Sequence, residues 1–561
     1  MEDLALFIVW ILMFISIRAS GKLLADWIRM RSAVSFVRES CRRLGELPSE
    51  DDLVRHPRAP IFLHLVAAYQ EPEIAETVRT LLASRYARTK LHVVVITKED
   101  EERAPHPAME VGTAELVRRL RAALPPSQRE QLHLLTMPGP GRKPHQLNWA
   151  LRPKTLREFL GDDVDPACVF VGVSDADSRP HPDTFRWIAH RELSGQGMCA
   201  YQGVTLSLAN YARLDRLGKV SAIQQSSVFL RISIPRLLSE LARMRLLSRL
   251  YARFPGAGSA LRPVVDALLR RSHILLGHNQ FVRLDTLQLV GGFPVAGATE
   301  DSTLGYALGL QGILIQPMPM VELCELPETS EKVIQQNARW YKGVLDDTVH
   351  LWRAWRKEPS PFNLAQLIRH AGTKAVEWPI AALLYPVAGL FCGQLWRFYP
   401  EQRTLFMFSI GLPTLSLFLS IWVGGVSTHA ALQDLIPCFP HAVDLRRTGY
   451  MERFLGTFRC HRYWLLATRG AWRVIGSLLR TGHYEPRKTD RLIRVSMTPA
   501  PSTAWQHRLS SSGVESRFRP LLPDPQPSVH LLSPPAAIVA PQRVSGSAAA
   551  VQLVGRTVQK S

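Results

Sequence analysis

Two carboxylates one residue apart, Asp175 and Asp177, directly follow the apolar run Val169 to Val173. A strand-end turn that carries two carboxylates can hold a divalent cation against a diphosphate, and oxygen-only ligation suits Mg2+ or Mn2+. Such a cation neutralises charge on a departing nucleoside diphosphate. The pattern is common on loops, and its position straight after a strand is what gives it weight. Upstream, Gly139-Pro-Gly-Arg-Lys143-Pro-His-Gln-Leu-Asn148 is a glycine-rich basic loop in which Lys143 offers a point charge to a phosphate. A solvated turn accounts for that loop equally well. Downstream, Thr299-Glu300-Asp301 follows the turn-rich Gly291-Gly292-Phe293. A carboxylate there can serve as general base on an acceptor hydroxyl. The same three residues also read as a helix N-cap at Thr299 with an acidic first turn. Farther on, a helix predicted from about Ser330 carries Gln336, Arg339 and Trp340 on one face, because their spacings are three and four. Amide, guanidinium and indole together suit phosphate binding and stacking on a sugar ring. A solvated face with its Trp at a membrane interface is the alternative.

The elements that must position these residues follow from hydrophobic periodicity. Ile61 to Ala67 reads as a buried strand ending at Tyr69-Gln70-Glu71, after which Pro72 opens a helix with Ile74, Val78, Leu81 and Leu82 on one face. Leu91 to Ile96 is a second strand, ending at Lys98-Glu99-Asp100. Leu132 to Thr136 is a third and Val169 to Val173 a fourth. Strands alternating with helices over residues 58–345 imply an α/β domain with a mostly parallel sheet covered on both faces. Ligands bind such sheets beyond the carboxyl ends of the strands, which is where the polar clusters fall.

Taken in order, Tyr69-Gln70-Glu71, Glu99-Asp100, the Gly-Arg-Lys…Leu-Asn loop, Asp175-x-Asp177, Thr299-Glu300-Asp301 and Gln336-x-x-Arg339-Trp340 resemble family 2 glycosyltransferases. In kind they are similar to the membrane synthases of the cellulose, hyaluronan and chitin-oligosaccharide type. The resemblance implies a GT-A fold, a Rossmann-like α/β domain with flanking transmembrane helices. It also implies a UDP-sugar donor, a divalent metal (Mg2+ or Mn2+) and inversion at the anomeric carbon. By the same resemblance Tyr69, Glu71 and Asp100 (or Glu99) hold the nucleoside, while Lys143 and Asp175 contact ribose and phosphates. Asp177 binds the metal with Asp175 beside it, Asp301 is the base supported by Glu300, and Gln336, Arg339 and Trp340 close over the diphosphate and the acceptor end. The first motif departs from the commoner Tyr-Asn-Glu, and Lys-Glu-Asp stands where paired aspartates are usual. The expected acceptor is a growing polysaccharide or oligosaccharide. A lipid acceptor, which needs fewer membrane spans, is the alternative. A catalytically silent scaffold is a third possibility, against which the intact Asp177, Asp301 and Arg339 count.

Composition agrees with a membrane enzyme. The 561 residues carry a formal net charge of +20 and are 46% hydrophobic. Excess Arg and Lys suit an anionic partner. The basic residues are dispersed among apolar ones with no nucleic-acid motif, which favours a membrane surface. Seven scattered cysteines without C-x-x-C spacing argue against a disulfide framework or zinc site and read as reduced thiols. The apolar run Leu4 to Ile17, preceded by Glu2 and Asp3 and followed by Arg18, Lys22, Arg29 and Arg31, predicts an anchor over residues 1–30. Its charge bias places the N-terminus outside and the catalytic domain in the cytosol, in an integral protein of a plasma or inner membrane. Pro379 to Trp396 and Leu405 to Val426, joined by a short link, predict a transmembrane hairpin over 375–426. Residues 427–485, with the mixed apolar and basic Trp464 to Leu479, read as an interfacial region, and 231–272 as a basic amphipathic insertion. From residue 486 to 561 the composition is that of a disordered tail.

Overall fold

The computed structural model describes residues 2–103, 109–253, 275–380, 403–441 and 460–485, with isolated positions between these stretches. The four predicted apolar runs are strands, three of them slightly longer than the periodicity indicates: β1 (Ile61–Ala67), β2 (Leu91–Lys98), β3 (Leu132–Met137) and β4 (Val169–Asp175). Asp175 is therefore the last residue of its strand and Asp177 lies on the turn beyond it. Three more strands, β5 (Ala200–Leu206), β6 (Gln280–Arg283) and β7 (Gln316–Leu323), complete one sheet in the order β3-β2-β1-β4-β6-β5-β7. Only β6 runs against its neighbours; every other pairing is parallel. The central strands are buried along their length, as expected of parallel strands covered on both faces. In β1 alternate side chains supply two cores: Phe62 and Val66 join Phe170, Phe185 and Tyr86 on one face, and Leu63 and Leu65 join Val94, Val171 and Leu304 on the other. This mixed α/β layout is the GT-A-like architecture expected.

The helices needed below are α1 (Glu2–Arg42), α2 (Ile74–Leu82), α3 (Lys143–Ala150), α4 (Arg216–Val228), α5 (Ile234–Arg253), α6 (Glu300–Leu310), α7 (Ser330–Lys357), α8 (Arg403–Ile421) and α9 (Cys460–Thr481). One start differs from expectation. Pro72 does not open α2, because Gln70 takes a left-handed backbone (φ 54°) and the chain spends Pro72 and Glu73 turning back towards the sheet before Ile74 begins the helix. A non-glycine residue in that conformation costs about 1–2 kcal/mol.

The helix that contains the predicted anchor does not stop at residue 30. Its Met30, Ala33, Val34 and Val37 pack with Val204 and Leu206 of β5 and Val321 and Leu323 of β7, so it is continuous with the catalytic core. α1 and α8 lie side by side and run in the same direction: Ser416 Oγ donates to the Ser16 carbonyl at 2.8 Å, and the Trp27 and Trp422 rings are 5.5 Å apart. Among the described residues one helix, Thr414–Asp434, is long and apolar enough to cross a membrane. Most of Pro379 to Trp396, much of the 231–272 insertion beyond Arg253, and the whole of 486–561 lie outside the described residues. α9 lays Ala471 and Val474 against Ala338 and Tyr341 of α7. Cys41, Cys168, Cys199, Cys324 and Cys438 are free thiols.

Candidate active site

The chain order reverses at β1: β2 and β3 are added on one side, β4 on the other. Ala67 pairs with Asp175 at the carboxyl ends of these two strands, so the turn after β1 and the turn after β4 face the same crevice. The first turn carries Tyr69 and Glu71. The Glu71 amide donates to Thr113 Oγ1 at 3.0 Å, and the Thr113 amide donates to the buried carboxylate of Glu101 at 2.8 Å. Lys98, at the end of β2, places its ammonium 4.2 Å from the centre of the Tyr69 ring and pairs with Asp100 at 2.9 Å. Tyr69, Lys98 and Asp100 thus form one cluster at the adjoining strand ends. Glu99 is instead paired outwards with Arg103 at 3.1 Å, which makes Asp100 the carboxylate turned to this cluster.

The Asp175-Ala176-Asp177 turn is held from several sides. Thr77 Oγ1 of α2 donates to the Ala176 carbonyl at 2.7 Å. The Glu325 amide donates to Asp177 Oδ2 at 3.0 Å, and Asp177 is 3% exposed. Lys143 Nζ donates to Asp175 Oδ1 at 2.6 Å and to the Gly277 carbonyl at 2.8 Å, with Glu300 Oε1 at 3.4 Å. Lys143 is thus not part of a solvated turn. It is the first residue of α3, where a helix dipole disfavours a cation. Burial likewise disfavours the ammonium, but Asp175 and Glu300 outweigh it and hold its pKa above the ordinary lysine value. Gln146 Nε2, one turn on, donates to the carbonyls of Ala68 (3.1 Å) and Ile96 (2.7 Å), tying α3 to the ends of β1 and β2. Asn148 exchanges hydrogen bonds with the Phe293 amide and carbonyl at 2.9 and 2.8 Å. A side chain on Gly292 (φ 84°) would meet Asn148 Oδ1 at 2.8 Å, which is why the Gly291-Gly292 pair is needed there.

Glu300 and Asp301 begin α6. Thr299 occupies the N-cap position with Glu300 and Asp301 in the first turn, as the sequence reads, though without a side-chain cap bond. Its side chain is instead packed against α7, where a Cβ on Gly343 would lie 2.1 Å from Thr299 Oγ1. Asp301 Oδ2 accepts from the Gly277 amide at 2.5 Å. The same glycine therefore receives Lys143 on its carbonyl and offers its amide to Asp301. Burial, then the charge of Glu300, push the Asp301 pKa up to about 7 against the pull of Lys143. A carboxylate poised there can take a proton near neutrality. Of the α7 residues, Gln336 accepts from Gln225 Nε2 of α4 at 2.9 Å, while Arg339 and Trp340 sit half-buried on the same helix. Lys143 thus contacts Asp175 and Glu300 directly and is linked to Asp301 through Gly277. Lys98 links Tyr69 to Asp100, and Gln225 bonds Gln336.

Among the described residues no three carboxylate, histidine or cysteine side chains gather as a ready metal cage. Mg2+ typically takes one or two protein carboxylates and completes its shell with phosphate oxygens and water. Asp175 and Asp177 are a donor set of that kind.

Several contributors escape the sequence reading. His278 Nδ1 and Glu322 Oε1 are 2.7 Å apart. Burial opposes charge on the imidazole, but Glu322 and Asp175 raise its pKa to about 9. A lone carboxylate inside the apolar Met318 to Leu323 run was the available signal for Glu322. Thr77, Gln146 and Thr113 carried none, being ordinary helix residues by type.

The model of the glycosyltransferase-like family 2 matches residues 57–343, half the chain. No curated protein matches it significantly. Among solved structures the chain is similar to a mannosyltransferase from Pyrobaculum calidifontis in complex with GDP-Man and Mn2+, at 17% identity over 72% of this chain and 99% of that one, with a TM-score of 0.37. It is also similar to S. aureus TarS in complex with UDP-GlcNAc, at 12% identity over 64% of this chain and 91% of that one, with a TM-score of 0.31.

Proposed function

The chain belongs to glycosyltransferase-like family 2 and is a nucleotide-sugar-dependent glycosyltransferase, and from that premise we propose that it is a membrane-bound inverting enzyme that moves a sugar from a UDP-sugar onto a growing polysaccharide or oligosaccharide. The observation that carries this reading is the Lys143 bridge. One half-buried ammonium joins Asp175 to the Gly277 carbonyl, and the amide of that glycine holds Asp301. A cation for phosphate and a carboxylate with a pKa near neutrality therefore stand at one strand-end crevice.

In the proposed reaction Asp301 takes the proton of the acceptor hydroxyl as its oxygen bonds to the anomeric carbon. The bond from that carbon to the diphosphate breaks on the opposite face, and UDP leaves with the electron pair. Glu300 supports Asp301 and Lys143. Asp175 and Asp177 hold Mg2+ or Mn2+, which when bound offsets charge on the diphosphate. Tyr69, Glu71 and Asp100 take the nucleoside, and Gln336, Arg339 and Trp340 close over the diphosphate and acceptor. Membrane residence is supported by α1, on which Phe7, Trp10, Phe14 and Ile17 follow one helical face and are each more than half exposed. It is also supported by the parallel course of α1 and α8, which an N-terminus and an α8 start on the same outer side require. Donor-dependent UDP release from detergent-purified protein across a panel of UDP-sugars tests the activity. No release with any of them, in the presence of Mn2+, would overturn it. Product size after feeding labelled donor separates a growing glycan from a single glycosylated lipid.

A further inference from the structure

Glu322 is a carboxylate with no exposed surface, inside a strand of mostly apolar residues. Burying such a charge is costly unless it is paired and fully hydrogen-bonded. Its partners lie on both sides of the candidate chemistry. Ser174 Oγ donates to Oε2 at 2.8 Å and Ser178 Oγ donates to Oε1 at 3.0 Å. These serines immediately flank Asp175-Ala176-Asp177. Oε1 also meets His278 Nδ1 at 2.7 Å. Gly277, the neighbour of His278, is the residue that receives Lys143 and holds Asp301. Residues 277–279 are pinned in an unusual shape, with Gly277 (φ 40°) and Asn279 (φ 51°) both left-handed. Asn279 Nδ2 donates to the Val204 and Met320 carbonyls, each at 3.1 Å. That shape presents His278 to Glu322.

We propose that Glu322 is a positioning residue that locks the Asp175–Asp177 turn and the Gly277–Asn279 loop at a fixed separation, so that the metal-binding carboxylates and the base Asp301 face the same donor. The inference rests on the proposed roles of Asp177 and Asp301. A bond from β7 to each end of the turn leaves it little freedom to slide, and the same carboxylate fixes the loop beside the base. Ligand-orienting partners of this kind commonly change metal affinity by about 10–100-fold when removed.

The test uses the full chain in detergent. Glu322→Gln keeps the volume and removes the charge, and the double variant Ser174→Ala/Ser178→Ala removes both arms to the turn while leaving Glu322 and His278. Mn2+ binding is read by electron paramagnetic resonance of the free ion in the presence of UDP, alongside kcat, the KM values and thermal midpoint. Glu322→Gln is expected to bind Mn2+ about tenfold more weakly and to lower kcat, with acceptor KM unchanged, and the serine double variant to shift both in the same direction. Unchanged Mn2+ affinity and kcat in the folded variants, whatever their thermal midpoints, would reduce Glu322 to a packing role and overturn the proposal. If Glu322→Gln does not fold, the serine double variant decides alone. Asp177→Asn separates the readings: Mn2+ affinity retained there overturns the metal assignment and this inference together. Affinity lost there but kept in Glu322→Gln overturns this inference only.

Discussion

Asp301 stands between opposed influences. Burial and the adjacent Glu300 favour its neutral form, while Lys143 and the Gly277 amide favour the carboxylate, and the balance puts its pKa at about 7. A general base acts only when ionised, so kcat/KM, which reports the unliganded enzyme, should fall with the carboxylate fraction as pH drops below about 7 and level off above it. Asp301→Asn removes the proposed base without altering Lys143, Asp175 or Asp177. Donor affinity should stay close to wild type while transfer falls by on the order of a hundredfold or more, the usual worth of general-base catalysis. Transfer at nearly the wild-type rate would move the base to Glu300 or another carboxylate. Asp177→Asn tests a different residue by a different signature. Its carboxylate is buried and held by the Glu325 amide, so the amide replacement fits the same space. Activity should require Mg2+ or Mn2+ and vanish with chelator in the wild type, and donor binding as well as turnover should weaken in the variant. Full wild-type activity in excess EDTA would exclude the metal role of both aspartates.

At the scale of elements, the site is assembled where helices approach strand ends and each other closely. α6 meets α7 at Thr299 and Gly343, a contact that leaves no room for a Cβ. Gly343→Ala should push Thr299 aside, and Glu300 and Asp301 with it. Overpacking of this kind costs about 1–3 kcal/mol. A lowered thermal midpoint together with a fall in kcat larger than any rise in donor KM is the expected pair of results. A variant with wild-type melting and kcat would show that α6 is placed by other contacts. The strands β1 to β4 were legible because each is a short continuous apolar run ended by a polar cluster. β5 to β7 were not delineated. Gln202, Gln280, Gln316 and Glu322 interrupt their apolar pattern, yet all four are buried, and Gln202 and Glu322 are hydrogen-bonded inside the domain, so polarity there does not mark a surface. The start of α2 shifted by two residues for a comparable reason, since the left-handed Gln70 cannot be read from residue type.

Over the whole molecule, α1 contains the predicted anchor and also packs into the domain core. The positive flanks of the apolar segments predict a cytosolic catalytic domain. A reporter fused after residue 360, in the loop that follows α7, should be active only in the cytosol, and activity in the exported compartment would overturn both the topology and the supply of donor. By itself the sequence determined the α/β class and the order of the motifs, because strand periodicity and strand-end carboxylates are local properties. Only the tertiary structure decided how these residues are joined. The Lys143 bridge between Asp175 and the Gly277 loop, and the Glu322 contacts to Ser174, Ser178 and His278, link positions more than thirty and up to nearly one hundred and fifty residues apart. Such contacts depend on which strands become neighbours in the sheet, and no local pattern encodes that.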